Sequence, residues 1–155
     1  MGRKPRVHVS GGFYHVLLRG NSRQNIFLEH ADRDIWQSVV RRVFTEHEHR
    51  LHAFCWMSNH VHMAVQAGSQ PLANAMSFLA SQYARRFNLR HQRTGHLFER
   101  RYRAILVQEE HYLKELVRYI HLNPVRARMA EHACEYPWSS HAVYLGKQRH
   151  EWLTD

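Results

Sequence analysis

His60 and His62 stand two apart in Asn59-His60-Val61-His62-Met63-Ala64, and Tyr119 and Asn123 stand four apart in Arg118-Tyr119-Ile120-His121-Leu122-Asn123-Pro124. Side chains two apart on a strand share a face, so the first pair can aim two imidazoles at one point. Side chains four apart on a helix also share a face, so the second pair sets a phenol beside a carboxamide. Neutral imidazoles bind divalent ions, and a carboxamide oxygen can add a third ligand. A phenol with the ordinary pKa of about 10 is a poor nucleophile. Covalent attack through it needs activation of the kind a metal site supplies. The combination suits cutting a phosphodiester through a tyrosine ester, which keeps the bond energy and permits rejoining.

Each residue has a plainer reading as well. With 15 histidines in 155 residues, a His-x-His triplet arises readily by chance. His47-Glu48-His49 is a second one, at a helix end where the two rings are expected to diverge. Tyr119 could belong to a buried helical stripe with Leu116, Val117 and Ile120. Asn123 could simply stop the helix before Pro124.

Charge narrows the substrate. The formal net charge is +9, and 19 of the 22 basic residues are arginine, whose planar fork binds phosphate bidentately. From His49 to Phe98 there is no Asp or Glu, and Arg85, Arg86, Arg90 and Arg93 fall inside that stretch. Arg100, Arg101 and Arg103 follow, interrupted only by Glu99. A solvated structural face normally mixes both signs, so this run is expected to meet a polyanion. The missing carboxylates also disfavour a two-metal phosphoryl-transfer site, which is built on clustered Asp and Glu. A one-metal site of His, His and Asn fits better.

The elements that must hold these residues follow from periodicity. Residues 13–18 and 51–56 read as strands, and 60–66 as a third, joined to the second by Met57-Ser58-Asn59. Asp32 is expected to cap a helix burying Ile35, Trp36, Val39, Val40, Val43 and Phe44. Pro71 opens a second helix burying Leu72, Met76, Leu79, Tyr83 and Phe87. Residues 103–108 form a fourth strand, and a third helix runs from His111 and ends before Pro124. Residues 137–145 form one more short helix. This order predicts an α+β fold, ferredoxin-like or RRM-like, with two helices on one face of an antiparallel sheet and a trailing helix that carries Tyr119. Val61, Met63 and Val65 should face the helices, leaving His60, His62 and Ala64 on an open face. Sheets of this kind also serve as RNA-recognition modules. Phe54 or Trp56 on the second strand could stack bases, which makes a non-catalytic hairpin DNA- or RNA-binding regulator the competing function.

The chain is expected to be one domain over 1–155, long enough to bury about two-thirds of its unfolded surface. No apolar run is long enough to span a bilayer. No apolar segment follows the basic start Met1-Gly2-Arg3-Lys4-Pro5-Arg6, which predicts a cytoplasmic protein. Cys55 and Cys134 lie outside any CxxC pattern and are expected to be packed thiols.

Four stretches in order carry a family resemblance. They are Tyr14-His15-Val16 with Arg19-Gly20-Asn21, Met57-Ser58-Asn59-His60-Val61-His62, Gly95-His96-Leu97-Phe98 with Arg101-Tyr102, and Tyr119-Ile120-His121-Leu122-Asn123-Pro124-Val125-Arg126-Ala127; Trp138-Ser139-Ser140 adds a tail signature. Over almost its whole length the chain resembles the insertion sequence 200-like single-tyrosine transposases with a His-hydrophobic-His motif. Within them it looks most like the REP-associated tyrosine transposases. The resemblance implies Tyr119 as nucleophile, with His60, His62 and Asn123 as ligands of Mg²⁺ or Mn²⁺. The insertion-sequence members carry glutamine where Asn123 stands, which favours the REP-associated branch. It further implies a substrate of single-stranded DNA folded into hairpins or palindromes, cut to leave a 5′-phosphotyrosine and a free 3′-hydroxyl. Arg19 and Asn21 join the arginines above as candidate DNA contacts, and His111 and His121 could also touch the substrate. A bacterial protein acting at the nucleoid, as monomer or homodimer, is the implied setting. A domesticated transposase that only binds palindromic DNA is the other implied possibility.

Overall fold

Strict alternation builds the first strand. In β1 (Phe13–Arg19), Tyr14, Val16 and Leu18 are buried on one face while Phe13, His15, Leu17 and Arg19 point to the other. A computed structural model describes residues 8–99, 101–150 and 152–154 of the chain; Arg100 lies outside the described residues. The remaining elements are α1 (His30–Glu46), β2 (Arg50–Trp56), β3 (His60–Gln66), α2 (Leu72–His91), β4 (Arg103–Val107), α3 (His111–Arg126) and the short α4 (His141–Tyr144). The strands make one four-stranded sheet in the order β2-β3-β1-β4, every pairing antiparallel. That is the α+β, ferredoxin-like arrangement expected.

α1 and α2 pack together on one face of the sheet. Trp36, Val40, Met76, Leu79, Tyr83 and Phe87 meet Val16, Leu18, Val61, Met63 and Val65 in the main core. Asp32 does not cap α1 from outside but sits one turn in, buried, where its carboxylate accepts the backbone N–H groups of Leu28 and Glu29 at 2.8 and 3.0 Å. Burial alone would raise its pKa, yet His91 and those two N–H groups hold it below the usual carboxylate value. His91 lies 2.9 Å away and Arg90 3.3 Å, so the end of α2 is tied to the start of α1.

The other face is not open. α3 lies across β2 and β3, with Leu116 and Ile120 seated on Ala53, Cys55 and Ala64. Small side chains there let the helix approach closely, whereas the bulkier His15, Leu17, Arg103 and Ile105 toward β4 leave a cleft beside it. A bulge between Leu51 and Ala53 explains why Phe54 and Trp56 are not on this face. It shifts the alternation of β2 so that Phe54 and Trp56 join Leu51 in the main core, fully buried.

Three other expectations change. α3 continues through Pro124 to Arg126. A proline this near the helix end forfeits only one N–H, and Pro124 and Asn123 are both buried. The tail forms a helix only over His141–Tyr144, because Trp138 and Ser140 instead bond the edge of β2, through Trp56 N–H to the Trp138 carbonyl and Ser140 N–H to the Phe54 carbonyl. Cys55 is packed as expected, but Cys134 is exposed. Among the described residues, no helix is long and apolar enough to cross a membrane.

Candidate active site

β3 and α3 deliver the residues singled out above to one place. His60 and His62 from β3, and Tyr119 and Asn123 from α3, line a single cavity of about 940 Å³ between α3 and the β1–β4 half of the sheet. That size is typical of ligand sites. The Tyr119 and His62 ring centroids are 5.9 Å apart. Tyr119 is 45% exposed and, among the described residues, nothing hydrogen-bonds to its hydroxyl, so the buried-stripe reading fails.

The hydrogen bonds around the two imidazoles engage the Nδ1 of each. Asn59 donates its amide N–H to the Arg23 carbonyl at 3.3 Å, which turns its oxygen toward His60 Nδ1 at 2.7 Å. An amide oxygen only accepts, so Nδ1 of His60 carries the proton and Nε2 keeps its lone pair. His62 Nδ1 lies 2.9 Å from His15 Nε2. Among the described residues neither Nε2 of the pair has a partner. A ligating histidine typically has its other nitrogen held in this way. Burial, then the Arg19 cation, lowers the His60 pKa to about 4. Burial, then His60, His15, Arg126 and Arg19, lowers that of His62 to about 3. Both rings are therefore neutral at pH 7, the form that binds metal. Asn123 is buried and its amide nitrogen has no partner. Oxygen and nitrogen of a carboxamide exchange by a flip of the group, so this unpaired end can equally present the oxygen. Two neutral imidazoles and one unsatisfied carboxamide fit a divalent cation.

Two residues at the site were missed in the sequence. His15 stacks on His62 at 5.2 Å and touches Tyr119 edge-on at 5.8 Å. Its place is readable from the alternation of β1, which puts it on the face opposite Tyr14 and Val16. Arg126 lies over the Tyr119 ring at 4.0 Å and donates to the Tyr119 carbonyl. It sits seven residues after Tyr119, on the same helical face, and ending the helix before Pro124 hid it.

Of the expected DNA contacts, Arg19 and Arg103 line the cavity. Asn21 is not part of the cavity lining; its backbone N–H bonds the Leu97 carbonyl at 2.7 Å. Arg101 is exposed on the approach to β4. Arg85, Arg86 and Arg90 ride on α2, across the sheet from Tyr119, and Arg93 follows just past its C-terminal end. Arg90 is paired with Glu29 at 2.9 Å and with Asp32, and Arg93 bonds Gln24 at 3.3 Å, while Arg85 and Arg86 are exposed. His121 is buried against Ser140 Oγ at 2.7 Å and anchors the tail rather than facing the cavity. His111 is exposed and paired with Glu109 at 3.2 Å. The His47 and His49 rings do not diverge but stack at 6.4 Å, with His47 Nδ1 on the Val43 carbonyl and His49 Nδ1 accepting the Gly68 N–H. The aromatic platform required of an RNA-recognition module is absent from β2, since Phe54 and Trp56 are inside the core.

The buried imidazoles make stability sensitive to acid. Burial, first among several causes, lowers His49 and His121 to about 4 as well. In the unfolded chain each ring protonates near pH 6.5. Between there and about pH 4 the unfolded state binds more protons, so stability is full above pH 6.5 and is lost as pH falls. For the buried rings of His49, His62 and His121 the loss is on the order of 3 kcal/mol each. The urea midpoint should therefore drop steeply from pH 6.5 to 4; a flat midpoint over that range would show the rings to be solvated.

Residues 8–123 match the family model described as transposase, IS200-like. No curated protein matches the chain in sequence. Among solved structures, the REP-associated tyrosine transposase bound to a REP hairpin superposes with a TM-score of 0.77 at 17% identity, covering 100% of this chain and 93% of that one. A candidate transposase from Deinococcus radiodurans R1 gives 0.53 at 22% identity over 77% of this chain and 95% of that one. The tRNA(His) guanylyltransferase of Saccharomyces cerevisiae gives 0.54 at 10% identity over 78% and 62%. At these identities the likeness is one of fold.

Proposed function

The chain belongs to the IS200-like transposases, and on that premise we propose that it cuts and rejoins single-stranded DNA at hairpins or palindromes through a Tyr119 ester. The observation that carries this reading is the convergence of Tyr119, His60, His62 and Asn123 on one arginine-rimmed cavity. The REP-hairpin complex of the structural neighbour supports a hairpin substrate and the REP-associated branch.

In the reaction, the Tyr119 phenolic oxygen bonds to phosphorus as the bond from phosphorus to the 3′ oxygen breaks. The phenol loses one proton and the departing 3′ oxygen gains one, leaving a 5′-phosphotyrosine and a 3′-hydroxyl. Attack by a 3′-hydroxyl on the ester reverses the step and joins strands. His60, His62 and Asn123 would hold Mg²⁺ or Mn²⁺. When bound, that ion would act as a Lewis acid on the scissile phosphate. His15 holds the His62 ring through Nδ1, and Arg126 holds the Tyr119 ring from above. Arg19 and Arg103 bring cationic donors to the same cavity for the flanking phosphates. One domain over 1–155 acting in the bacterial cytoplasm completes the proposal.

Incubating the protein with hairpin oligonucleotides, with and without Mn²⁺, tests it on a denaturing gel: metal-dependent cleavage supports the reading, and intact oligonucleotide across the panel opposes it. Charge can be tested separately. Replacing Arg19 and Arg103 by alanine should reduce the slope of log K against log salt by about 0.7 for each single-strand phosphate released. The same change at Arg85 and Arg86 should reduce it less, because α2 lies behind the sheet. The opposite ranking would move the DNA path to α2.

A further inference from the structure

The cavity holds one charge of the wrong sign. Four arginines line it, at 19, 103, 118 and 126, and among the described residues lining it Glu115 is the single acid. Glu115 is exposed and, among the described residues, makes no ion pair or hydrogen bond, although Arg118 follows it by three on α3. Nearby Glu109, by contrast, pairs with His111 at 3.2 Å. A carboxylate beside a bound phosphate chain is repelled by it. The arginines around it and water satisfy it in the free protein, and beside a bound strand it gains most where the substrate brings it a further donor, since an ionised carboxylate accepts and cannot donate. Phosphates supply no donor. Bases do, on their Watson–Crick edges, once they are unpaired.

The walls beside Glu115 suit a base. Tyr112, one turn before it on α3, is 53% exposed, and Ile105 of β4 is 55% exposed, and both line the same cavity. Tyr112 and Glu115 are three apart on a helix and therefore neighbours on its surface. Exposed aromatic rings stack unpaired bases regardless of sequence, so Tyr112 and Ile105 would hold a base and leave its edge to Glu115.

We propose that Glu115 is a specificity-determining residue that selects an unpaired guanine next to the scissile phosphate. Guanine alone offers two parallel donors, N1–H and N2–H, which match the two oxygens of a carboxylate. Adenine and cytosine present one amino donor beside a ring-nitrogen acceptor, and thymine one N–H between two carbonyls, so each opposes at least one carboxylate oxygen. This rests on the reading that the cavity takes single-stranded DNA.

The test is cleavage, with Mn²⁺, of hairpin oligonucleotides randomised at two positions on either side of the cut, read by sequencing the cut and uncut pools. The wild type should prefer guanine at one position by roughly ten- to a hundredfold, as a bidentate base contact does. Glu115→Ala should lose that preference. Glu115→Gln, with one donor and one acceptor, should shift it toward adenine. Glu115 is exposed, so both variants should melt as the wild type does. A guanine preference retained in both variants overturns the inference. So does a uniform fall in rate across all sequences, which would place Glu115 in the chemistry instead. Failure of the wild type to bind or cut any member overturns the functional reading, and this inference with it.

Discussion

Tyr119→Phe protein should bind hairpin DNA with affinity close to that of the wild type and form no covalent product. The substitution removes one oxygen that no described residue hydrogen-bonds, so no buried partner is orphaned. The ring keeps its contacts with Arg126, His15 and His62. Losing a nucleophile outright costs on the order of 10⁴-fold or more in rate, so cleavage should fall below detection on a gel while a filter-binding curve moves by less than about threefold. A variant that loses hairpin affinity along with cleavage would make Tyr119 a structural or binding residue. A variant that still cleaves would remove it from the chemistry.

The second large effect concerns the metal. His60→Ala and His62→Ala should each abolish the Mn²⁺-dependent reaction and, more directly, the binding of Mn²⁺ itself. A ligand that binds only the folded state raises stability by RT ln(1 + [L]/Kd), about 2.7 kcal/mol at a hundred times Kd. The wild type should therefore melt at higher temperature in Mn²⁺, and the variants should not respond. His60 is the cleaner probe because it is only half-buried and bonds the adjacent Asn59. His62 is buried and bonded to His15, so its loss should also lower the melting temperature without metal. An unchanged Mn²⁺ shift in both variants would place any ion elsewhere. Among the described residues the one other cluster of potential ligands is Glu131, His132 and Glu135, and it is exposed, with Glu135 already accepting the N–H groups of Glu131 and His132.

How much of this was legible depends on which features are local. The span of β3 and the buried face of α2 follow from alternation and helical spacing, and the structure reproduces both. The connection order fixed the sheet topology, because two split strand-helix-strand units leave few ways to pair. The seat of α3 was not legible, for it depends on Ala53, Cys55 and Ala64 sharing a face, and the bulge before Ala53 reverses the parity a regular strand would give. The same bulge withdrew Phe54 and Trp56 from solvent. The basic run along α2 read as one anionic-ligand surface, yet Arg90 is held by Glu29 and Asp32, acids distant in sequence that the fold brings alongside. Tyr119, His60, His62 and Asn123 could be singled out as candidates because their spacings, together with the family resemblance, suggest a shared site. His15 and Arg126 needed the tertiary structure to show what they touch.

Mass spectrometry of the wild-type protein, after reaction with a cleavable hairpin and Mn²⁺ and digestion with protease and nuclease, locates the covalent bond. A tyrosine-ester mechanism predicts one peptide carrying a nucleotide 5′-phosphate on Tyr119, present with metal and missing without it. Cleavage with no adduct, or an adduct on another residue, would contradict it.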